Sequence, residues 1–229
     1  MNRVQSIVRM RLRDRWTSFY IPWLILLSSF AVNLFISYLI NNQEPFYTGG
    51  LMSIFISIAI LGAIHFAQTF PFALGMSVRR KDFFLGTAMA AVITNAVSAV
   101  VLCLFSLVES ATTGWGVNMH FFNLAWIENF SVLGRFGIYM AVLLHLHFFG
   151  ITVSSIFRRY GRAGLYVFFT ALLVIFSGMS LLITHYQWWI GIGLWCKAHM
   201  IQIAWYSVLA VVLYGTVSYV LLRRATVQS

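Results

Sequence analysis

Six apolar stretches divide the charges of this chain so that thirteen of its fifteen lysines and arginines fall on one side of a membrane. A helix rises 1.5 Å per residue, so roughly 20 apolar residues cross the ~30 Å hydrocarbon layer. The spacing predicts spans at about 19–40, 51–73, 84–108, 134–157, 163–184 and 202–222. Arg3, Arg9, Arg11, Arg13 and Arg15 precede the first span, and Arg79, Arg80 and Lys81 separate the second from the third. Arg158, Arg159 and Arg162 lie between the fourth and fifth, while Arg223 and Arg224 follow the sixth. Only Arg135 and Lys197 fall on the opposite side, together with Glu44, Glu109 and Glu128. Cytoplasmic loops hold the excess of Lys and Arg, so both termini are expected inside. One span more or fewer would scatter these clusters over both faces.

Charged residues make up 9% of the chain and hydrophobic ones 61%. Soluble domains carry roughly 25% charged residues, so a water-soluble globule is excluded. The 229 residues fit one all-α polytopic membrane domain, 1–229, with no room for a second domain. The net charge of +10 sits in short clusters beside apolar spans, where it meets anionic headgroups of membrane lipids. Nucleic acid is not an expected partner.

Residues 1–18 are expected to form an amphipathic helix on the inner membrane surface. Val4, Ile7, Val8, Leu12 and Trp16 recur at helical spacing between five arginines, although Arg11 and Arg15 intrude on the stripe. The apolar run that follows is longer than a signal-peptide core and ends in no small-residue cleavage site, so cleavage is not expected. Cys103 lies in a span and Cys196 in the last outer loop, at depths that argue against a disulfide.

Further signals mark the connections. Asn41-Asn42-Gln43-Glu44-Pro45 reads as an outer turn, and Pro71 should kink or finish the second span. Gly86, Ala90, Thr94 and Ser98 recur every four residues on the third span, a small-residue stripe suited to close helix packing. The outer segment 109–133 has no basic residue and carries Trp115, Phe121, Phe122, Trp126 and Phe130, which places it in or near the interface. Tyr186 to Met200 is too short to span twice and fits a pair of short outer helices.

Catalytic motifs are missing from the sequence. It contains no GxxxxGK[ST] phosphate loop, no HExxH helix, no CxxC pair and no GxSxG elbow, so neither a catalytic residue nor a metal site is expected. The intramembrane polar candidates are His65, Gln68, Asn95, His145 and His147. His65 and Gln68, three apart, share a helix face. His145 and His147 point about 200° apart and do not readily hold one metal. Asn33 and Gln202, like these histidines, read first as hydrogen-bonded packing groups. No acidic residue falls in mid-membrane, since Glu109 lies near an outer end; that weakens a proton- or sodium-coupled mechanism.

Between the second and third spans runs Phe70-Pro71-Phe72-Ala73-Leu74-Gly75-Met76-Ser77-Val78-Arg79-Arg80-Lys81-Asp82-Phe83-Phe84-Leu85-Gly86-Thr87. With six spans, inner termini and a basic N-terminal helix, this segment resembles the ABC-2 type permeases, the six-helix membrane subunits of bacterial ABC exporters. The resemblance implies a coupling element at this junction. Val78, Arg79, Arg80, Lys81, Asp82, Phe83 and Phe84 would then dock on a separate ABC ATP-binding subunit, an aromatic ring filling an apolar socket while the charges set register. It further implies a cell-membrane dimer with a second permease copy or a paralogue. No cofactor is expected in this chain, ATP and Mg being bound by the partner. The expected function is therefore the permease of an ATP-driven exporter. The alternatives are a secondary transporter using His65 or the His145/His147 helix, and a non-transporting scaffold or immunity protein.

Overall fold

The computed structural model describes residues 3–40, 44–123, 127 and 130–223. The Asn41-Asn42-Gln43 part of the outer turn, Trp126, Glu128 and Arg224 lie outside the described residues. The chain is built as a helical, membrane-embedded protein. In order, α1 is Arg3–Arg13, α2 Ile21–Ile40, α3 Met52–Gly75, α4 Arg80–Ala111, α5 Val132–His185, α6 Trp189–Ala198 and α7 Met200–Arg223. A π-helical turn, Trp16–Tyr20, leads straight into α2.

Among the described residues five helices are long and apolar enough to cross a membrane, where the sequence predicts six spans. The difference lies in α5, a continuous 54-residue helix in hydrogen-bonding terms that joins the expected fourth and fifth spans. At 1.5 Å per residue it would measure roughly 80 Å. Gly161, with φ 65° and ψ −155°, breaks the helical backbone inside it. That left-handed conformation is open to glycine and costly for any side chain. The arms before and after the break are here called α5a and α5b.

The tightest helix crossing is between α3 and α5a. A Cβ on Gly62 would lie 2.2 Å from the carbonyl oxygen of His147, and one on Gly150 would lie 2.1 Å from that of Ala59. Small residues let backbones meet in lipid, where no hydrophobic force drives helices together. The α4 stripe does less of this than expected. Gly86 is a contact point, but it receives Ile7 of α1 and not another span; a Cβ on Gly86 would lie 2.7 Å from that of Ile7. Ala90 and Ser98 are buried, and Thr94 is half-buried with its hydroxyl donating to Ala90 O at 2.9 Å.

Helix α1 packs along α4, though on a different face from the expected one. Ile7 and Arg11 are its buried residues, whereas Leu12 and Trp16 are exposed, Trp16 by 71%. Arg11 therefore lies on the docking face that it seemed to interrupt. Residues 119–123 also depart from the expected position of 109–133 in or near the interface. Phe121 and Phe122 are fully buried against Phe30 and Phe105. Strand β2 (Met119–His120) pairs in parallel with β1 (Phe46–Tyr47), with Phe46 opposite Met119 and Tyr47 opposite His120. Between α5 and α7 a single ten-residue helix, α6, stands where a pair of short helices was expected.

Candidate functional site

The turn between α3 and α4 is short and closed by its own hydrogen bonds. Val78 N donates to Ala73 O at 3.1 Å and Ser77 N to Leu74 O at 2.9 Å, the two bonds of a Schellman motif. Its left-handed position falls on Ser77, at φ 56°. Arg79 is extended and opens α4, and Asp82 in the first turn of α4 complements the positive end of the helix dipole. Four residues, Met76 to Arg79, thus join two long helices with no separate coupling helix between them.

Within this segment the side chains divide into two groups. Phe83 is fully buried, its ring 5.5 Å from that of Phe66 and 5.6 Å from that of Phe70. It fills a socket in this chain, which corrects the expectation that it is offered to a partner. Phe84 is half-buried with its ring 5.5 Å from Tyr219 on α7. Arg80 donates to Leu222 O at 3.0 Å and Arg223 O at 2.7 Å, capping the C-terminus of α7. Val78 packs partly against the cluster of Phe66, Phe70 and Phe83, and Asp82 is half-buried. Arg79 and Lys81 remain as exposed cations, beside exposed Met76 and Ser77.

Behind the turn lies a buried polar cluster. His65 of α3, His147 of α5a and Arg11 of α1 line one cavity of about 20 Å³ with Thr87, Ala90 and Thr94 of α4. That is space for about one water molecule. His65 Nε2 lies 3.8 Å from Asp14 Oδ2, and Arg11 Nη2 reaches Thr87 Oγ1 at 3.5 Å. Burial lowers the Arg11 guanidinium to about 10, with nearby Asp14 opposing the shift, so Arg11 stays charged at neutral pH. The other candidates scatter. Gln68, almost one turn beyond buried His65, is exposed and does not line the cavity. His145 turns away from His147, its ring 5.2 Å from that of Tyr214 on α7. Asn95 is fully buried and neither side-chain amide atom has a hydrogen-bond partner. Among the described residues no group of His, Cys, Asp and Glu is placed to hold a metal.

Sequence reasoning passed over a second cluster, at the far end of the bundle. Glu109 is buried at the end of α4. Its Oε2 accepts from Trp115 Nε1 at 3.0 Å, Phe121 N at 3.0 Å and Phe122 N at 2.8 Å, and its Oε1 from Asn123 N at 2.8 Å. Arg135, also buried, donates to Ser106 Oγ, Ser110 Oγ and Asn123 Oδ1 at 3.0–3.2 Å. These charge-assisted bonds hold Trp115 and residues 121–123 inward. The signal was available: Glu109 and Arg135 bracket an aromatic segment that has no other basic residue and only Glu128 as a further acid.

Pro71 neither ends nor isolates the last turn of α3, which continues to Gly75. Proline lacks the N–H that would bond the carbonyl four residues earlier, here Ala67 O. Arg158 of α5a donates Nη2 to that same oxygen. A neighbouring helix thus supplies the missing donor, the condition under which proline is tolerated in a membrane helix.

An apolar cleft of about 430 Å³ separates α5a from α7 and is lined by Gly134, Gly137, Ala141, Ala204 and Trp205 among others. The chain matches no family model, no curated protein and no solved structure.

Proposed function

We propose that this chain is the permease subunit of an ATP-driven exporter, a six-pass bundle with both termini in the cytosol that couples to a separate ATP-binding subunit. The observation that carries the reading is the Met76–Arg79 turn. It is short, internally hydrogen-bonded and rigidly continuous with two long helices, so a push on it is transmitted as tilt of α3 and α4. Arg80 and Phe83 anchor it to α7 and to the bundle interior, leaving Arg79 and Lys81 as the cations available to a partner. The Gly161 break supports counting α5a and α5b as separate passes, each of sufficient length at 1.5 Å per residue. The uncharged 430 Å³ cleft between α5a and α7 suits a hydrophobic or amphipathic cargo. ATP and Mg would be held by the partner, and a second permease copy or paralogue would complete the transporter.

Affinity purification of the membrane-extracted chain should recover a P-loop ATPase, and the double substitution Arg79→Glu/Lys81→Glu should abolish ATP-dependent transport while leaving helicity intact. Transport unaffected by that charge reversal, with no ATPase recovered, would refute the reading. Secondary transport is the second reading, favoured by the meeting of His65 and His147 at one cavity. Transport that persists without ATP and collapses with the proton gradient would select it.

A further inference from the structure

Beside α1 runs a second cleft, of about 880 Å³, between that helix and α4. Its floor is apolar: Val4, Val8 and Leu12 on α1 face Met89 on α4, and Met89 is 52% exposed. Arg9, Arg13 and Arg15 supply cationic lining and Gln5 a polar side chain. All three arginines are exposed, and among the described residues none has an ion-pair or hydrogen-bond partner. The nearest acid in sequence, Asp14, is turned elsewhere; its carboxylate accepts from Thr17 Oγ1 at 3.1 Å and sits 3.8 Å from His65. Three unneutralised guanidiniums therefore line the same groove as four apolar side chains.

This arrangement follows from how α1 docks. Ile7 against Gly86 and Arg11 against Thr87 hold one edge of α1 on α4. The other edge, carrying Val8 and Leu12, is left facing Met89 across a gap. The slot opens beside the first turns of a span, where Trp16 and Tyr20 are 71% and 47% exposed. Aromatic residues so placed mark the headgroup level of a bilayer. The groove is open along its length and larger than a phosphate ion alone would fill.

We propose that this cleft binds one anionic phospholipid, its phosphate on Arg9, Arg13 and Arg15 and the start of an acyl chain over Val8, Leu12 and Met89. Both halves of the ligand are matched: guanidiniums pair with phosphate oxygens through paired N–H donors, and the apolar floor continues into the lipid. The site is distinct from the turn at Met76–Arg79 and stands whether or not the chain is an exporter subunit. Its consequence is positional, because a lipid bridging α1 and α4 would pin the N-terminal helix to the bundle.

The test is native mass spectrometry of the purified full chain in detergent, titrated separately with phosphatidylglycerol, phosphatidylcholine, diacylglycerol, inorganic phosphate and a glutamate-rich peptide. The expected result is one phosphatidylglycerol retained per chain, at least tenfold more tightly than phosphatidylcholine. Inorganic phosphate at millimolar concentration should not displace it. Each guanidinium removed should weaken retention about fivefold, so Arg9→Gln/Arg13→Gln should bring the two lipids to near parity. Arg79→Gln/Lys81→Gln removes equal charge elsewhere and should leave the preference unchanged. Leu12→Asn should weaken phosphatidylglycerol without abolishing its advantage over phosphatidylcholine. Equal retention of the two lipids by the unaltered chain would overturn the proposal, and this arm needs no variant to fold. Displacement by phosphate alone, tighter binding of the acidic peptide, or equal losses from the two double variants would overturn it as well.

Discussion

Replacing Pro71 should make Arg158 dispensable. Proline leaves Ala67 O without its intrahelical donor, and the Arg158 guanidinium supplies one from α5a. A hydrogen bond to a charged group contributes about 1.5–3 kcal/mol to stability. Arg158→Met keeps an apolar stem of similar length and removes the donor, so in the unaltered chain it should cost about 2 kcal/mol. In Pro71→Ala the new amide at position 71 bonds Ala67 O, and the same Arg158→Met change should cost less than about 1 kcal/mol. The double-mutant cycle should therefore return a coupling of about 1–2 kcal/mol. The four proteins can be compared by reversible unfolding in mixed micelles with increasing dodecyl sulfate, followed by circular dichroism. The intrinsic effect of proline on the helix cancels in the cycle. Additive costs, with coupling below about 0.5 kcal/mol, would show that Arg158 does not substitute for the missing amide.

Three further outcomes follow from the packing. Gly62→Ala and Gly150→Ala place a methyl 2.1–2.2 Å from a facing carbonyl oxygen and should each lower stability by about 1–3 kcal/mol in the same unfolding assay. Gly178→Ala, with nothing within 4 Å, should be neutral or stabilising by up to about 1 kcal/mol. Ser77→Gly relieves a left-handed backbone on a residue with a side chain and should raise the unfolding midpoint by an amount equivalent to about 1 kcal/mol. Glu109→Gln puts an amide donor where backbone N–H groups converge. It should cost about 2 kcal/mol or more and make the connection that follows α4 more open to limited proteolysis.

Most of the longitudinal layout was legible in the residues. The positions of the apolar stretches anticipate α2, α3, α4 and α7 to within a few residues, because a bilayer demands one length of unbroken apolar helix whatever its neighbours are. Arg158 and Pro71 could each be located but not connected, since their meeting depends on how α3 crosses α5a. The polar candidates fared unevenly for the same reason. His65 and His147 share a cavity, while Gln68 is exposed outside it and His145 lies against Tyr214.

What the amino-acid order determined alone is that the protein is helical and membrane-embedded, and that a short basic connection joins α3 to α4. Only the tertiary structure decided which side of each helix meets protein. It put Phe83 into the bundle, turned Arg11 inward and Leu12 outward, drew Phe121 and Phe122 under Glu109, and set Gly62 and Gly150 at the closest crossing. In water an apolar stripe marks the buried face of a helix, but lipid accepts apolar residues as readily as a protein interior does. Hydrophobicity therefore specifies position along the membrane normal and leaves rotation about the helix axis to close packing and buried hydrogen bonds.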